Sequence, residues 1–262
     1  HILDININDL SELNGVWSFA FYNDLQHSLK LSRDLLGERN LYYYINGNEL
    51  IFSSEIKPIF LANKLSFNLD NIGVQDMWRY YACRDDKSII QNCKKLEPGK
   101  TYIFNYKKFK KINHSYLNIG NWLDFIKKSK KKKIEEKFLE IFDEETNLRY
   151  PKKVKSYSLL SGGIDSSFQN FFLSKRKLNT LYAISSNYNY LKKNNVDEIY
   201  LSNAVSKFIG SKHLITDLRE NFLEEALKIS ENSLECLDPG MLNFSKLSSV
   251  INKNRFKVVL AS

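Results

Sequence analysis

The stretch Val154–Ser167, Val-Lys-Ser-Tyr-Ser-Leu-Leu-Ser-Gly-Gly-Ile-Asp-Ser-Ser, constrains the fold more than any other part of the chain. Its apolar, tyrosine-containing opening, residues 154–160, reads as a buried strand. Two adjacent glycines, Gly162 and Gly163, let the backbone turn sharply and approach a ligand with no Cβ in the way. Asp165, Ser166 and Ser167 suit a helix start, and Phe168, Phe171 and Phe172 recur at helical spacing. Strand, glycine-rich turn and helix in that order make an anion site. The first N–H groups of the helix point outward, and its dipole favours negative charge there. Hydroxyls of Ser161, Ser166 and Ser167 add donors, and a pyrophosphate is the natural guest. Asp165 would repel it, so this carboxylate is expected to act through Mg²⁺, which takes carboxylate and phosphate oxygens together. A Cβ on Gly162 is expected to block the guest and spare the fold. The plainer alternative is a tight turn with no ligand.

The second half of the chain repeats the strand-then-helix order. Leu181–Ser185 reads as a buried strand, and Asp197-Glu198 opens a helix to about Phe208 that Gly210 stops. His213-Leu214-Ile215 begins a third strand. There His213 is preferred as a surface or core-satisfied residue over a ligand or base. Leu218–Ser230 and a stretch from Asp238-Pro239-Gly240 to about Asn252 are helical, and Lys257–Ala261 is a last strand. In front, Ile134 to about Tyr150 is a helix with Ile134, Phe138, Ile141 and Phe142 on one face, ended by Pro151. Alternation of this kind implies a doubly wound parallel sheet, whose ligands sit at the carboxyl ends of the strands.

The first half is patterned differently. Residues 1–12 read as a helix end or connector; Val16–Tyr22 and Ser28–Arg33 read as strands. Leu41–Ile45 and Glu49–Ser53 form a hairpin around Asn46-Gly47. Helices follow at Ser54 to about Leu61 and about Leu69 to Tyr81, the second with Ile72, Met77 and Tyr80 on one side. Leu96-Glu97-Pro98-Gly99 is a turn, Thr101–Tyr106 a closing strand, and residues 107–133 a polar, lysine-rich connector. Gly99-Lys100-Thr101 ends like a Walker A motif, but the required first glycine would fall at Lys94, so it is rejected.

Composition bounds the rest. With 262 residues, 43% of them hydrophobic, the chain can bury a core in one large domain or two. No apolar run approaches the ~20 residues of a membrane span. Three cysteines, Cys83, Cys93 and Cys236, show no metal spacing and read as free thiols of a reducing cytoplasm. Net charge is +9, and Lys127–Lys133 alone holds six lysines. Without interleaved aromatics that run reads as a solvated linker and helix start, not a nucleic-acid surface.

The run Ser161-Gly-Gly-Ile-Asp-Ser-Ser167 resembles the PP-loop of the ATP pyrophosphatase superfamily, and within it the asparagine synthetase family of glutamine-dependent amidotransferases. The first half is similar, in order and spacing, to the second half of a class II glutaminase domain. The similarity rests on Leu13–Tyr22, Ser32–Gly37 with Leu41–Tyr44, Phe52–Lys57 and Lys95–Gly99. The resemblance implies a partial N-terminal-nucleophile hydrolase fold at residues 1–118, α+β in class. It implies an α/β doubly wound PP-loop domain at 119–262. Arg33, Asp34 and Glu55 then stand between a core role and a domain-interface role.

The implied chemistry is activation of a carboxylate, by default aspartate, as an acyl-adenylate, then amidation with ammonia from glutamine. ATP and Mg²⁺ would bind at Leu159, Leu160, Ser161, Gly162, Gly163, Asp165, Ser166, Ser167, Ile184 and Ser262, with Asp165 on the metal. Ile184 takes the place of the family's adenine-contacting backbone, although Ser185-Ser186 departs from the usual glycine-containing loop. The nucleophilic Cys and catalytic Glu would lie outside the chain, which begins at His1, so a fragment inactive by itself is expected. A lactam- or sugar-acid-amidating relative, another PP-loop enzyme and a degenerate nucleotide-binding protein stay open. No nucleic-acid or membrane partner is expected, and a homodimer is left open.

Overall fold

The computed structural model describes residues 10, 13–105, 110–115, 120–176, 181–187, 198–217, 222–233 and 239–261. Ser262, Cys236, Asp197, Asp238 and residues 1–9, 11 and 12 lie outside them. The chain forms two compact units, residues 1–123 with 227–237, and residues 124–226 with 238–262. No helix among the described residues is long and apolar enough to cross a membrane.

The first unit is built on two antiparallel sheets. One has the order β1-β2-β6-β7: β1 Ser18–Asn23, β2 Ser28–Arg33, β6 Lys100–Asn105 and β7 Lys110–Ser115. The other has the order β4-β3-β5: β4 Glu49–Ser53, β3 Tyr42–Asn46 and β5 Cys93–Lys95. Neighbouring residues of a strand face opposite ways. Tyr43 therefore joins Leu31, Leu41, Leu96, Tyr102 and Phe104 in one core, while Tyr42 joins Ile56, Ile59, Phe60, Ile90 and Cys93 in another. Ile56, Ile59 and Phe60 come from α1, Ile56–Ala62.

Three expectations are corrected here. The hairpin turns on Gly47 and Asn48, one residue later than read, because Asn46 pairs with Glu49. Only Gly47 of the two takes positive φ, 56°, as the first central residue of a II′ turn does. Helix α2, Asn71–Tyr80, buries Gly73 and Asp76, whereas Ile72 and Tyr80 are about half exposed. Gly73 packs against the backbone of Ser88, and buried Asp76 is paired with Arg84 at 2.8 Å, so a hydrophobic count misses this face. The supposed connector 107–133 contains β7 and the helix α3, Gly120–Lys128. Lysine-rich composition hid a strand that is held by backbone pairing to β6.

Arg33 and Asp34 are core residues of the first unit. Arg33, 4% exposed, donates to the carbonyls of Arg39 and Leu96 at 2.7 Å each, to that of Gly37, and to Asn40 Oδ1 at 3.0 Å. Asp34 accepts from the N–H groups of Glu38 and Arg39 at 2.9 and 3.0 Å. Burial works to raise its carboxyl, but the N–H groups around it outweigh that and hold it below the usual range. Glu55 is exposed and precedes α1 without capping it by its side chain.

The second unit carries a wholly parallel sheet of order β10-β9-β8-β11: β8 Ser156–Leu159, β9 Tyr182–Asn187, β10 Lys212–Asp217 and β11 Val258–Leu260. The chain moves outward from β8 to β10, then returns to the far side of β8 as β11. The strand order therefore reverses at β8. Tyr157 and Ile184 pack with Leu247 and Ile251 of α8, Pro239–Lys253, and with Phe256. Helices α5, Ile164–Ser174, and α6, Glu198–Ile209, follow β8 and β9, and α7, Phe222–Ser233, follows β10. Helix α4, Lys131–Arg149, lays Phe138 and Phe142 on Phe168 and Phe172 of α5, with ring centroids 4.7–6.0 Å apart.

Candidate functional site

The expected turn follows β8 directly. Leu160 and Ser161 leave the strand, Gly162 has φ +86°, and Gly163 is the extended residue before α5. The first intrahelical bond runs from the Ser167 N–H to the Gly163 carbonyl at 3.0 Å. The N–H groups of Ile164, Asp165 and Ser166 precede it and face outward from the helix start. Because β8 is the strand where the order reverses, its carboxyl end opens into the crevice that ligands of such sheets use.

The serines divide the work differently from the expectation that all three would donate to a guest. Ser166 is buried and closes the loop on itself. Its hydroxyl accepts from the Ser161 N–H at 3.2 Å and lies 2.9 Å from the Ser161 hydroxyl and 3.3 Å from the Gly163 carbonyl. Ser161 is exposed, and Ser167 Oγ is a buried oxygen with no hydrogen-bond partner among the described residues. Asp165 is exposed on the first turn of α5. No group of three His, Cys, Asp or Glu side chains able to hold a metal occurs among the described residues.

Gly162 overturns one expectation. A Cβ there would lie 2.6 Å from Leu201 Cβ, 2.7 Å from the Ser202 nitrogen and 2.9 Å from the Leu201 carbonyl carbon. Its smallness therefore serves the approach of α6, so a side chain at this position disturbs the fold. A Cβ on Gly163 would have only Ser161 Oγ nearby, at 3.4 Å. Gly163 is the glycine whose bare backbone is free to face a guest.

Beside the turn lies a cleft of about 190 Å³ lined by Leu159, Leu160, Ser161 and Ile184, all four expected, and by Ser185 and Ser186. Glu198 and Ile199 of α6 and Phe244 and Leu247 of α8 complete it, and these four were missed. The spacing of Phe244, Leu247 and Ile251 was the available signal, since it marks one face of α8. Asn170 was missed too. It is fully buried, and its Nδ2 donates to the Leu159 carbonyl at 2.9 Å and the Ser166 carbonyl at 2.8 Å, tying strand end to helix start. His213 is satisfied, as preferred: Nε2 lies 2.6 Å from Ser185 Oγ and Nδ1 3.0 Å from Asn203 Oδ1. Burial holds its imidazole below the ordinary histidine range.

Residues 7–117 match the glutamine amidotransferase domain family. A putative glutamine-hydrolysing asparagine synthetase 2 of Methanocaldococcus jannaschii is 33% identical over 161 residues, 60% of this chain and 30% of that protein. The chain is thus similar to asparagine synthetases, most clearly through its amidotransferase-like first half. Asparagine synthetase 1 of Bacillus subtilis is 25% identical over 164 residues, 60% of this chain and 24% of its own. A second M. jannaschii protein, putative asparagine synthetase 1, is 24% identical over 268 residues, 96% of this chain and 43% of its own. The chain thus spans less than half the length of these relatives.

Proposed function

We propose that the second unit is a PP-loop ATP site of a glutamine-dependent amidotransferase, in which a carboxylate, by default aspartate, is activated as an acyl-adenylate and amidated by ammonia from glutamine. The match of residues 7–117 to the glutamine amidotransferase domain supports the amidotransferase reading. One observation supports the nucleotide most: a glycine turn with outward N–H groups stands at the strand where the sheet order reverses, beside an apolar cleft. The flat base would lie against Leu159, Ile184 and Leu247, and the phosphates at the start of α5.

The residues present fit Mg²⁺ held in the usual way for a nucleotide, by one carboxylate plus phosphate oxygens and waters. Asp165 is that carboxylate. The ion, when bound, would neutralise charge on the departing pyrophosphate. The helix start and Ser161 would orient the phosphates so that the α-phosphorus is open to the attacking carboxylate. The apolar cleft walls would exclude water from the adenylate.

Calorimetric titration of the chain with ATP and Mg²⁺ tests this. Asp165→Asn should weaken binding by roughly tenfold or more, the factor for ~1.4 kcal/mol of lost carboxylate–metal attraction. It should leave the thermal midpoint unchanged, because the side chain is exposed. Equal affinity in variant and parent would remove the metal role. Absence of binding by the parent would remove the nucleotide reading.

A further inference from the structure

The peptide joining Leu160 to Ser161 is the entry to the anion loop, and both of its polar groups are held. Its N–H, that of Ser161, donates to Ser166 Oγ at 3.2 Å. Its carbonyl, that of Leu160, accepts from the Ser185 hydroxyl of β9. Ser185 is 4% exposed, so this bond is shielded from water. Ser185 Oγ in turn lies 2.6 Å from His213 Nε2 on β10. With the hydroxyl proton given to Leu160, the oxygen can only accept there, which sets the Nε2–H tautomer. The far ring nitrogen lies 3.0 Å from the side-chain amide of Asn203 on α6, whose NH₂ can face it after a half-turn about χ2. A chain of hydrogen bonds thus runs from α6 through β10 and β9 to one peptide plane at the mouth of the cleft.

We propose that His213 is a positioning residue that acts through Ser185 to fix the orientation of the Leu160–Ser161 peptide, and with it the anion-binding geometry of the loop at 161–167. The physical case has three parts. The Leu160 N–H, on the preceding peptide, is committed to the Ile184 carbonyl at 2.9 Å, so the chain is fixed up to Leu160 and the next peptide is held by Ser185 on its carbonyl side and Ser166 on its N–H side. Without Ser185 that carbonyl is a buried acceptor with no donor, and turning toward the cleft is its way to reach water. A turned peptide points a carbonyl oxygen at the place an anion would occupy and withdraws the Ser161 N–H from Ser166. A free Ser185 hydroxyl could rotate to another acceptor, and the imidazole N–H is what keeps its lone pair occupied and its proton on Leu160.

The proposal rests on the nucleotide reading only for its consequence in binding, so two readouts separate the two. The first needs no ligand: amide hydrogen exchange in peptides covering residues 160–164. Ser185→Ala and His213→Leu should speed exchange there by about tenfold, the factor for one lost buried hydrogen bond. His213→Gln, which keeps an N–H donor, should retain slow exchange. The second is binding of ATP with Mg²⁺ and of pyrophosphate alone. Both should weaken by about tenfold in Ser185→Ala and His213→Leu. The double variant should be no weaker than either single one, since all act through one peptide. Unchanged exchange at 160–164 in both single variants overturns the positioning role, whether or not the parent binds nucleotide. Altered exchange with additive losses in binding overturns the single-chain mechanism. Altered exchange in a parent that binds no nucleotide upholds the positioning and refutes only the nucleotide site.

Discussion

Gly162→Ala is the substitution whose cost the structure fixes most closely. Two terms add. The residue holds φ +86°, and a side chain in that left-handed region costs about 1–2 kcal/mol. The new Cβ would meet Leu201 Cβ at 2.6 Å and the Ser202 nitrogen at 2.7 Å. Neither is a flexible side-chain end: one is a Cβ and the other is backbone, so α6 itself must shift. Ser202 is fully buried, which leaves the helix little room, and overpacking of this kind costs about 1–3 kcal/mol. The sum, about 2–5 kcal/mol, is a large part of a typical 5–15 kcal/mol stability. Gly163→Ala is the internal control. Its φ of −69° suits any residue, the nearest atom would be 3.4 Å away, and the loss is that of a weaker cap, below about 1 kcal/mol. In urea denaturation the Gly162 variant should melt roughly 1–2 M earlier than the Gly163 variant. The Gly163 variant should keep its fold and lose ATP affinity. Equal midpoints would refute the packing argument. A stable Gly162 variant impaired only in ATP binding would return that glycine to the role of ligand approach.

Two further outcomes are expected. Arg33→Leu should destabilise the first unit by about 3–5 kcal/mol in denaturant titration, because the carbonyls of Arg39, Leu96 and Gly37 lose their shared donor in a buried site. A loss below about 1 kcal/mol would mean that water replaces the guanidinium. His213 sets a pH dependence. Its folded-state pKa is lowered by burial, so below about 6.5 the unfolded chain binds more protons than the folded one. Stability present above that pH should be lost as pH falls through the folded value, and His213→Gln should flatten this fall. Asp34, also lowered, acts in a separate window: its contribution is present above the ordinary carboxylate value of 3.8 and lost only as pH falls below it. A Gln variant that still follows the parent between about pH 7 and 5 would refute the histidine linkage.

How much was legible in the sequence follows from how local each signal is. The turn at 161–163 and its flanking strand and helix were legible because a short apolar run, two glycines and helical phenylalanine spacing all lie within twenty residues of each other. Strands β2 and β4 fell on their expected bounds, since alternation marks a half-buried strand. Strand β7 was not legible. Lys110-Lys111-Ile112-Asn113-His114-Ser115 carries no apolar alternation, and its strand state comes from β6 beside it, a partner five residues or more away in sequence. The buried face of α2 was hidden for another reason. Its inner residues are a glycine that admits the backbone at Ser88 and an aspartate paired with Arg84, neither of which a hydrophobic period reports.

The site divides along the same line, and the division explains why the motif alone left its role open. A glycine turn between strand and helix occurs with or without a guest. What separates the two cases here is not in the turn. It is the return of the chain as β11 beside β8, which makes the strand leading into this turn the one where the sheet order reverses. It is also the meeting of Leu160, Ser185, Asn203 and His213, four residues from four segments, around one peptide of that turn. A chain that needed only a tight corner would be served by the Asn170 and Ser166 bonds, which are local to β8 and α5. A half-buried histidine held neutral costs stability as pH falls, and the serine it touches donates to a carbonyl of the turn that neither Asn170 nor Ser166 reaches. Their joint aim at the Leu160 carbonyl is better accounted for by a loop whose peptide orientation matters to something that binds there.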